Sequence, residues 1–175
     1  MQPEIYWIKD FKASHLAIMP RLRAGDWLFD EIKGLKEQSL DILVSLLTAD
    51  EIYELGLKEE KDICGANGIE FISFPITDRK VPSSMTQAIQ LSQSLLTQII
   101  SGKKVAICCR AGIGRSAVMV AAILVCSGIS PQIAYHMVAK SRGVAVPDTD
   151  EQKLWLDSFA RGLTNGERLL MRIKG

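Results

Sequence analysis

The sequence predicts an α/β fold in which helices flank a central, mostly parallel sheet within a single domain, residues 1–175. A buried strand, a glycine-containing loop and a buried helix follow one another from Val105 to Cys126, the order of one unit of such a sheet. A second aliphatic run, from Asp41 to Leu47, carries no charge after its first residue, as a strand buried on both faces does. The 175 residues, 47% hydrophobic and 23% charged, suit one globular domain.

Two short strands and a helix are expected before the Asp41 strand. Ile5 to Ile8 and Leu16 to Met19 each carry enough apolar and aromatic residues for a short edge strand. Apolar residues at helical spacing predict an amphipathic helix over 26–36, with Glu31 on its charged outer face.

Two short helices and a strand are expected after it. Thr48 and Glu51 have capping-box spacing, so a helix should begin there, and Glu51 is interpreted as a structural residue rather than a catalytic one. A second helix is expected over 58–65. Residues 69–76 alternate apolar and polar side chains and include a proline, which predicts a strand that leaves the sheet.

Sequence patterns in the C-terminal half of the chain predict helices. Apolar residues gather on one helical face over 85–100, which indicates a helix packed on the core. Capping-box spacing at Thr149 and Gln152 predicts a last helix that begins at this point. The short tail, 163–175, is expected to dock through Leu169, Leu170 and Ile173.

The loop between the central strand and its helix has the composition of a phosphate site. Cys109 and Arg115 enclose five residues that include Gly112 and Gly114. Glycines let backbone N–H groups turn inward around an anion, and the following helix adds its positive N-terminal end. Arg115 can bind two phosphate oxygens with its planar guanidinium. The residues expected around the phosphate are Arg110, Ala111, Gly112, Ile113, Gly114 and Arg115.

The same field favours thiolate over thiol, so Cys109 is expected to be a nucleophile at neutral pH. Ser116 directly follows the arginine, and its hydroxyl is placed to donate to the sulfur and to stabilise the thiolate when it departs. A buried cysteine that only fills space is the alternative interpretation.

Cysteine, five residues, arginine and serine form the signature of the cysteine-dependent protein phosphatases, which the segment 105–119 resembles. The resemblance implies the fold of these phosphatases and a cysteinyl-phosphate intermediate formed without a metal or other cofactor. Members usually carry histidine just before the nucleophile, where this chain has Cys108. The Cys108 side chain should point to the opposite face of the strand and belong to the core, with redox protection as its alternative role.

A second chemical segment lies between Pro75 and Pro82, where Asp78 is the single carboxylate. The oxygen that leaves when cysteine attacks phosphorus must be protonated, a contribution worth about 10² to 10⁴ in rate. From loop chemistry alone, an aspartate in a surface turn is an equal alternative. The pattern Phe-Pro-Ile-x-Asp-x-x-x-Pro resembles the general-acid loop of dual-specificity phosphatases, particularly the kinase-associated phosphatase branch and its bacterial relatives. The resemblance implies that Asp78 is the acid. Arg79 and Lys80 flank it, either as a basic rim for an anionic substrate or as solvated loop charges.

Composition and charge argue against other classes of protein. The formal charge of +1 gives no sign of a nucleic-acid partner, and the longest apolar run is shorter than the ~20 residues that span a bilayer. The N-terminus lacks the apolar region of a secretory signal, so a cytoplasmic, monomeric protein is expected. Four cysteines without zinc spacing are expected to be reduced thiols, and neither His15 nor His136 is supported as a ligand.

The predicted function is hydrolysis of phosphotyrosine monoesters on proteins, with phosphoserine and phosphothreonine as further substrates. A phosphoinositide phosphatase, an RNA 5′-phosphatase and a non-catalytic phosphoprotein-binding module remain as alternatives. A sulfurtransferase or arsenate reductase built on a similar cysteine loop is a further alternative, and it would not need Asp78. The resemblance also suggests that Gln152 positions water, whereas its spacing from Thr149 predicts a helix cap.

Overall fold

A computed structural model describes residues 2–163 and contains one five-stranded sheet. Its strands are Tyr6–Trp7 (β1), Leu16–Pro20 (β2), Ile42–Ser45 (β3), Glu70–Ser73 (β4) and Val105–Cys109 (β5). The strand order is β1-β2-β5-β3-β4, with β1 antiparallel to β2 and all other pairs parallel. The predicted α/β fold with a mostly parallel sheet is confirmed.

The α-helices of the described residues are Asp26–Glu37 (α1), Ala49–Glu54 (α2), Glu60–Ala66 (α3), Met85–Ile100 (α4), Arg115–Cys126 (α5), Pro131–Arg142 (α6) and Asp150–Gly162 (α7). Each predicted helix is present with ends close to those expected. None of the helices within residues 2–163 has the length and apolar character needed to cross a membrane. The predicted docking of the tail through Leu169, Leu170 and Ile173 lies outside the described residues.

Two sequence predictions were wrong about position. Leu16 to Met19 was expected at an edge, but β2 lies inside the sheet between β1 and β5. Its four apolar side chains are fully buried, as in a strand covered on both faces. Glu31 was expected on the outer face of α1, yet it is 4% exposed and accepts hydrogen bonds from the backbone and side chain of Arg23. The partner, Arg23, lies in the loop before α1, so the helical pattern that predicted the position of Glu31 did not include it.

The sheet divides the core into two layers. Cys109 faces the layer formed with α4, α5, α6 and α7, whereas Cys108 faces the layer formed with α1 and α3. The predicted opposite orientation of these neighbouring thiols is therefore confirmed. Every residue of α5 is buried, because this helix packs on β2, β5 and three other helices. Cys64, Cys108, Cys109 and Cys126 form no disulfide within residues 2–163.

Glu60 is a buried carboxyl group without a hydrogen-bond partner among residues 2–163. Its side chain is 1% exposed, and neither oxygen accepts a hydrogen bond. Burial raises the pKa of Glu60 from its ordinary value of 4.5 to about 7. The folded protein therefore keeps a proton that the unfolded chain releases above pH 4.5. This contribution to stability is complete below pH 4.5 and is lost as the pH rises to about 7.

Replacement of Glu60 by glutamine should remove this dependence on pH. Relative to Glu60→Gln, the wild-type protein is expected to lose about 3 kcal/mol of unfolding free energy between pH 5 and pH 8. Urea unfolding of both proteins at the two pH values measures the difference. The exposed neighbour provides the control, since Glu59→Gln should leave the pH dependence unchanged. Parallel stability curves for wild type and Glu60→Gln would contradict the prediction.

Candidate active site

The four parallel strands bring the predicted site residues to one edge of the sheet. Cys109 is the last residue of β5, and the loops after β3 and β4 lead to Glu51 and Asp78. In open parallel sheets, ligands bind outside the carboxyl ends of the strands. The candidate site lies at this edge.

The backbone of the phosphate-binding loop is held from outside through its carbonyl groups. The N–H of Arg21 donates to the carbonyl oxygen of Arg110, at 3.4 Å. The Arg142 guanidinium donates to the carbonyl oxygens of Ala111, at 3.3 Å, and Gly112, at 3.1 Å. In a trans peptide the following N–H points the opposite way. The N–H groups that follow these carbonyls, those of Ala111, Gly112 and Ile113, therefore point toward the inside of the loop, as an anion site requires. The sequence analysis missed Arg142, which lies far along the chain.

Close contacts require both loop glycines. Gly112 has a φ of +69°, and a Cβ on it would lie 2.6 Å from the backbone nitrogen of Pro20. A Cβ on Gly114 would overlap the carboxylate of Asp148. The loop can therefore lie against the end of β2 on one side and against Asp148 on the other.

The predicted nucleophile lies at the bottom of this loop. Cys109 is 3% exposed, and its Sγ lies 3.1 Å from the Oγ of the fully buried Ser116. The α5 helix begins directly beside them, so its positive end is directed at the sulfur. This geometry suits a hydroxyl donor to a thiolate.

Arg115 is held in place by acceptors from two other segments, α2 and the loop after β4. Nη1 donates to Oε2 of Glu51, at 2.7 Å, and to the carbonyl oxygen of Ile76, at 2.8 Å. Nη2 donates to Oε1 of Glu51, at 2.8 Å, and lies 3.2 Å from Oδ1 of Asp78. No acceptor among the described residues takes the Nε–H, which leaves this group for a phosphate oxygen.

Glu51 has a role that the sequence analysis missed. The capping box is confirmed: Glu51 Oε2 accepts from the Thr48 N–H at 3.0 Å, and Thr48 Oγ1 accepts from the Glu51 N–H at 3.3 Å. The same carboxylate also binds Arg115. Burial alone would raise the pKa of Glu51, but the hydrogen bonds and charge of Arg115, with the hydrogen bonds from Thr48, hold that pKa below its ordinary value. Glu51 therefore stays ionised and orients the arginine.

Glu51→Gln should weaken phosphate binding and catalysis, because the arginine loses one of its two carboxylate contacts and its compensating charge. A misplacement of about 1 Å in such a group can cost about 100-fold, so kcat/KM on an aryl phosphate should fall between tenfold and roughly 100-fold. Steady-state kinetics measures this loss. Asp50→Asn, at an exposed position on the same helix, is the matched control and should stay within about twofold of wild type. A Glu51→Gln enzyme as active as this control would contradict the prediction.

Asp78 lies in a tight turn above the site. The N–H of Lys80 donates to the carbonyl oxygen of Thr77 at 2.9 Å, and Arg79 has a φ of +62°. Such a conformation is uncommon for a residue other than glycine and is often found at functional sites. The turn leaves the Asp78 side chain 55% exposed, with its carboxylate directed at Arg115.

A cavity of about 250 Å³ joins these groups. Its lining residues are Asp78, Arg79, Cys109, Arg110, Ala111, Gly114, Arg115 and Asp148. The Ile113 side chain packs against the core, so the predicted contact of Ile113 with phosphate would be made by its backbone N–H. Lys80, His15 and His136 do not line this cavity. Asp148 was missed, although it directly precedes the capping box at Thr149.

The predicted cap at Gln152 is confirmed. The fully buried Gln152 side chain accepts the N–H of Asp148 at 3.1 Å and the N–H of Thr149 at 3.2 Å. The backbone N–H of Gln152 donates to Thr149 Oγ1 at 3.2 Å. The side-chain nitrogen donates to the carbonyl oxygen of Lys80 at 3.1 Å. Water positioning by Gln152 stays a prediction.

The fold is similar to that of solved phosphatases over most of the chain. A kinase-associated phosphatase with serine in place of its catalytic-site cysteine gives a TM-score of 0.81 at 20% identity, over 93% of this chain and 99% of that chain. Tk-PTP in its active form gives 0.73 at 26% identity, over 93% and 100%. PTPMT1 in complex with PI(5)P gives 0.70 at 21% identity, over 84% and 91%. The fold and the cysteine loop are those of a cysteine-dependent phosphatase of the dual-specificity class.

A family model described as Tc-R-P, polymorphic toxin system, DSP-PTPase phosphatase, matches residues 19–129, which is more than half of the chain. The chain belongs to this family of phosphatases. The matched region contains the turn at Asp78, the phosphate-binding loop and α5, and it ends before α6 and α7. A comparison with curated protein sequences yields no match.

Proposed function

We propose that this phosphatase hydrolyses phosphotyrosine monoesters on proteins, and phosphoserine and phosphothreonine monoesters as further substrates, through a cysteinyl-phosphate intermediate. The observation that carries the proposal is the position of Cys109, Arg115 and Asp78 around one cavity of about 250 Å³. This set supplies a nucleophile, a cation for the phosphoryl oxygens and an acid for the leaving group.

In the first step, Cys109 Sγ attacks phosphorus, and the sulfur–phosphorus bond forms as the bond to the ester oxygen breaks. Protonated Asp78 transfers its proton to the departing oxygen, which leaves as a phenol or alcohol. The Arg115 Nε–H and the loop amides bind the three equatorial oxygens, on which negative charge must be accommodated. The bond between Asp78 and Arg115 supports this arrangement, because it keeps the acid beside the group that holds the phosphate.

In the second step, water attacks the phosphorus of the intermediate and the sulfur–phosphorus bond breaks. Asp78, now a carboxylate, takes the proton of the attacking water. Inorganic phosphate leaves, and the sulfur departs as a thiolate. Ser116 Oγ, 3.1 Å from Sγ, donates a hydrogen bond to this thiolate.

The cavity wall carries charges of both signs, which suits a protein substrate. Arg79 and Arg110 lie on the wall with positive charge, and Asp148 contributes a carboxylate. No described residue forms an ion pair or a side-chain hydrogen bond with the Asp148 carboxylate. A peptide can place residues of either sign against such a wall.

A substrate panel assayed with EDTA tests the proposal. It contains phosphotyrosine, phosphoserine and phosphothreonine peptides, PI(5)P, which is the ligand of PTPMT1 in the structure above, and 5′-triphosphorylated RNA. We expect hydrolysis without added metal and the highest kcat/KM on the phosphotyrosine peptide. Turnover confined to PI(5)P or to RNA would replace the proposed substrate class. Phosphopeptide binding without any hydrolysis would favour the binding-module alternative.

A further inference from the structure

The turn that carries Asp78 accepts hydrogen bonds from other parts of the site on both sides of the aspartate. Two residues before it, the carbonyl oxygen of Ile76 accepts a hydrogen bond from Arg115 at 2.8 Å. Two residues after it, the carbonyl oxygen of Lys80 accepts a hydrogen bond from Gln152 at 3.1 Å. We propose that Gln152 is a positioning residue that holds Asp78 over the phosphate-binding loop through Lys80. This inference rests on the proposed role of Asp78 as the general acid.

Gln152 is suited to this role because its own side chain is immobilised. It is fully buried, and its amide oxygen accepts two backbone N–H groups, those of Asp148 and Thr149. The helix that begins beside it packs Trp155 and Phe159 into the core. The Gln152 side chain thus binds three backbone groups, those of Asp148, Thr149 and Lys80, and it can hold the exposed turn at a fixed position relative to α7.

The hydrogen bonds of Gln152 also connect two walls of the cavity. Its oxygen accepts from the backbone N–H of Asp148, which lies on one wall. Its nitrogen donates to the carbonyl of Lys80, two residues after Asp78, which lies on the other wall. Loss of the bond to Lys80 would leave the turn bound to Arg115 through Ile76 and Asp78, but not to α7. The acid would then spend less time within reach of the leaving oxygen, although the nucleophile and the phosphate-binding loop would be unchanged.

Two substitutions distinguish the role of Gln152 as a helix cap from its role as a positioning residue. Gln152→Glu keeps an oxygen that can accept the N–H groups of the capping box, but it removes the side-chain N–H that binds Lys80. Thr149→Ala removes the hydroxyl of the cap and leaves the Gln152 amide in place. Both proteins are compared on phenyl phosphate, which needs protonation of a basic phenoxide, and on 4-nitrophenyl phosphate, which has a good leaving group.

We expect Gln152→Glu to lower kcat on phenyl phosphate between tenfold and roughly 100-fold, with a loss below about threefold on 4-nitrophenyl phosphate. Thr149→Ala should lower the midpoint of thermal unfolding while the ratio of the two rates stays at its wild-type value. A rate ratio that Gln152→Glu leaves unchanged, or that Thr149→Ala changes as much, would overturn the inference.

Asp78→Asn, measured in parallel, separates failure of this inference from failure of the proposed function. If Asp78→Asn does not reduce phenyl phosphate turnover more than 4-nitrophenyl phosphate turnover, the proposed acid is wrong and the inference falls with it. If Asp78→Asn shows the selective loss and Gln152→Glu does not, the acid is correct and only the role of Gln152 is wrong.

Discussion

Cys109→Ser is expected to abolish hydrolysis of an aryl phosphate, with kcat lowered by roughly 10⁴-fold or more. The serine hydroxyl stays protonated where a thiol ionises, so the attacking anion is lost. The loop amides, Arg115 and the α5 N-terminus are unchanged, and the variant should still bind a phosphopeptide. Release of 4-nitrophenol in the presence of EDTA measures the loss of catalysis, and calorimetric titration with the phosphopeptide measures the retained binding.

The neighbouring thiol provides the control for this substitution. Cys108 is fully buried and faces the opposite layer of the core, so Cys108→Ala should keep kcat within about threefold of wild type. Its effect is expected on stability, because a small cavity forms between the sheet, α1 and α3. A Cys109→Ser protein with wild-type activity would end the proposed mechanism.

Asp78→Asn is expected to lower kcat by about 10² to 10⁴ on phenyl phosphate, with a smaller loss on 4-nitrophenyl phosphate. Asparagine occupies almost the same volume but cannot give a proton to the leaving oxygen or take one from water. The affinity for inorganic phosphate should change little, since Arg115 and the loop amides remain. Rates on both esters and competitive inhibition by phosphate together measure the effect.

Asp150→Asn is the matched control for this change. Asp150 is exposed in the first turn of α7 and does not line the cavity, so its variant should keep wild-type rates on both esters. Equal rates for Asp78→Asn and wild type on phenyl phosphate would remove the general acid from the mechanism. That outcome would favour the sulfurtransferase or arsenate reductase alternatives, which use the cysteine loop without Asp78.

Most predictions of helices, caps and loops that came from neighbouring residues agree with the structure. The capping boxes at Thr48 and Thr149 form as expected because donor and acceptor lie three residues apart. The central strand, loop and helix were predictable for the same reason, since strand burial, glycine content and helix burial are all readable over a short window. The predicted position of Asp78 near Cys109 also holds, because two parallel strands end at one edge.

The contacts that complete the site join distant parts of the chain. Glu51 binds Arg115, Arg142 binds the loop carbonyls, and Gln152 binds Lys80. Glu51 and Gln152 were each interpreted from a local capping pattern, and that interpretation was correct but incomplete. A side chain with two oxygens or an amide can satisfy a local partner and a distant one together, and only the local partner leaves a pattern in the sequence.

The sequence by itself determined the α/β class, the phosphate-binding loop from Cys109 to Arg115 and the turn that carries Asp78, because each depends on residues close together along the chain. The tertiary structure alone decided that β2 lies inside the sheet, that Glu51 orients Arg115 and that Asp148 forms a wall of the cavity. These features depend on strand order and helix packing, which arise from the summed burial of many side chains rather than from any one local pattern.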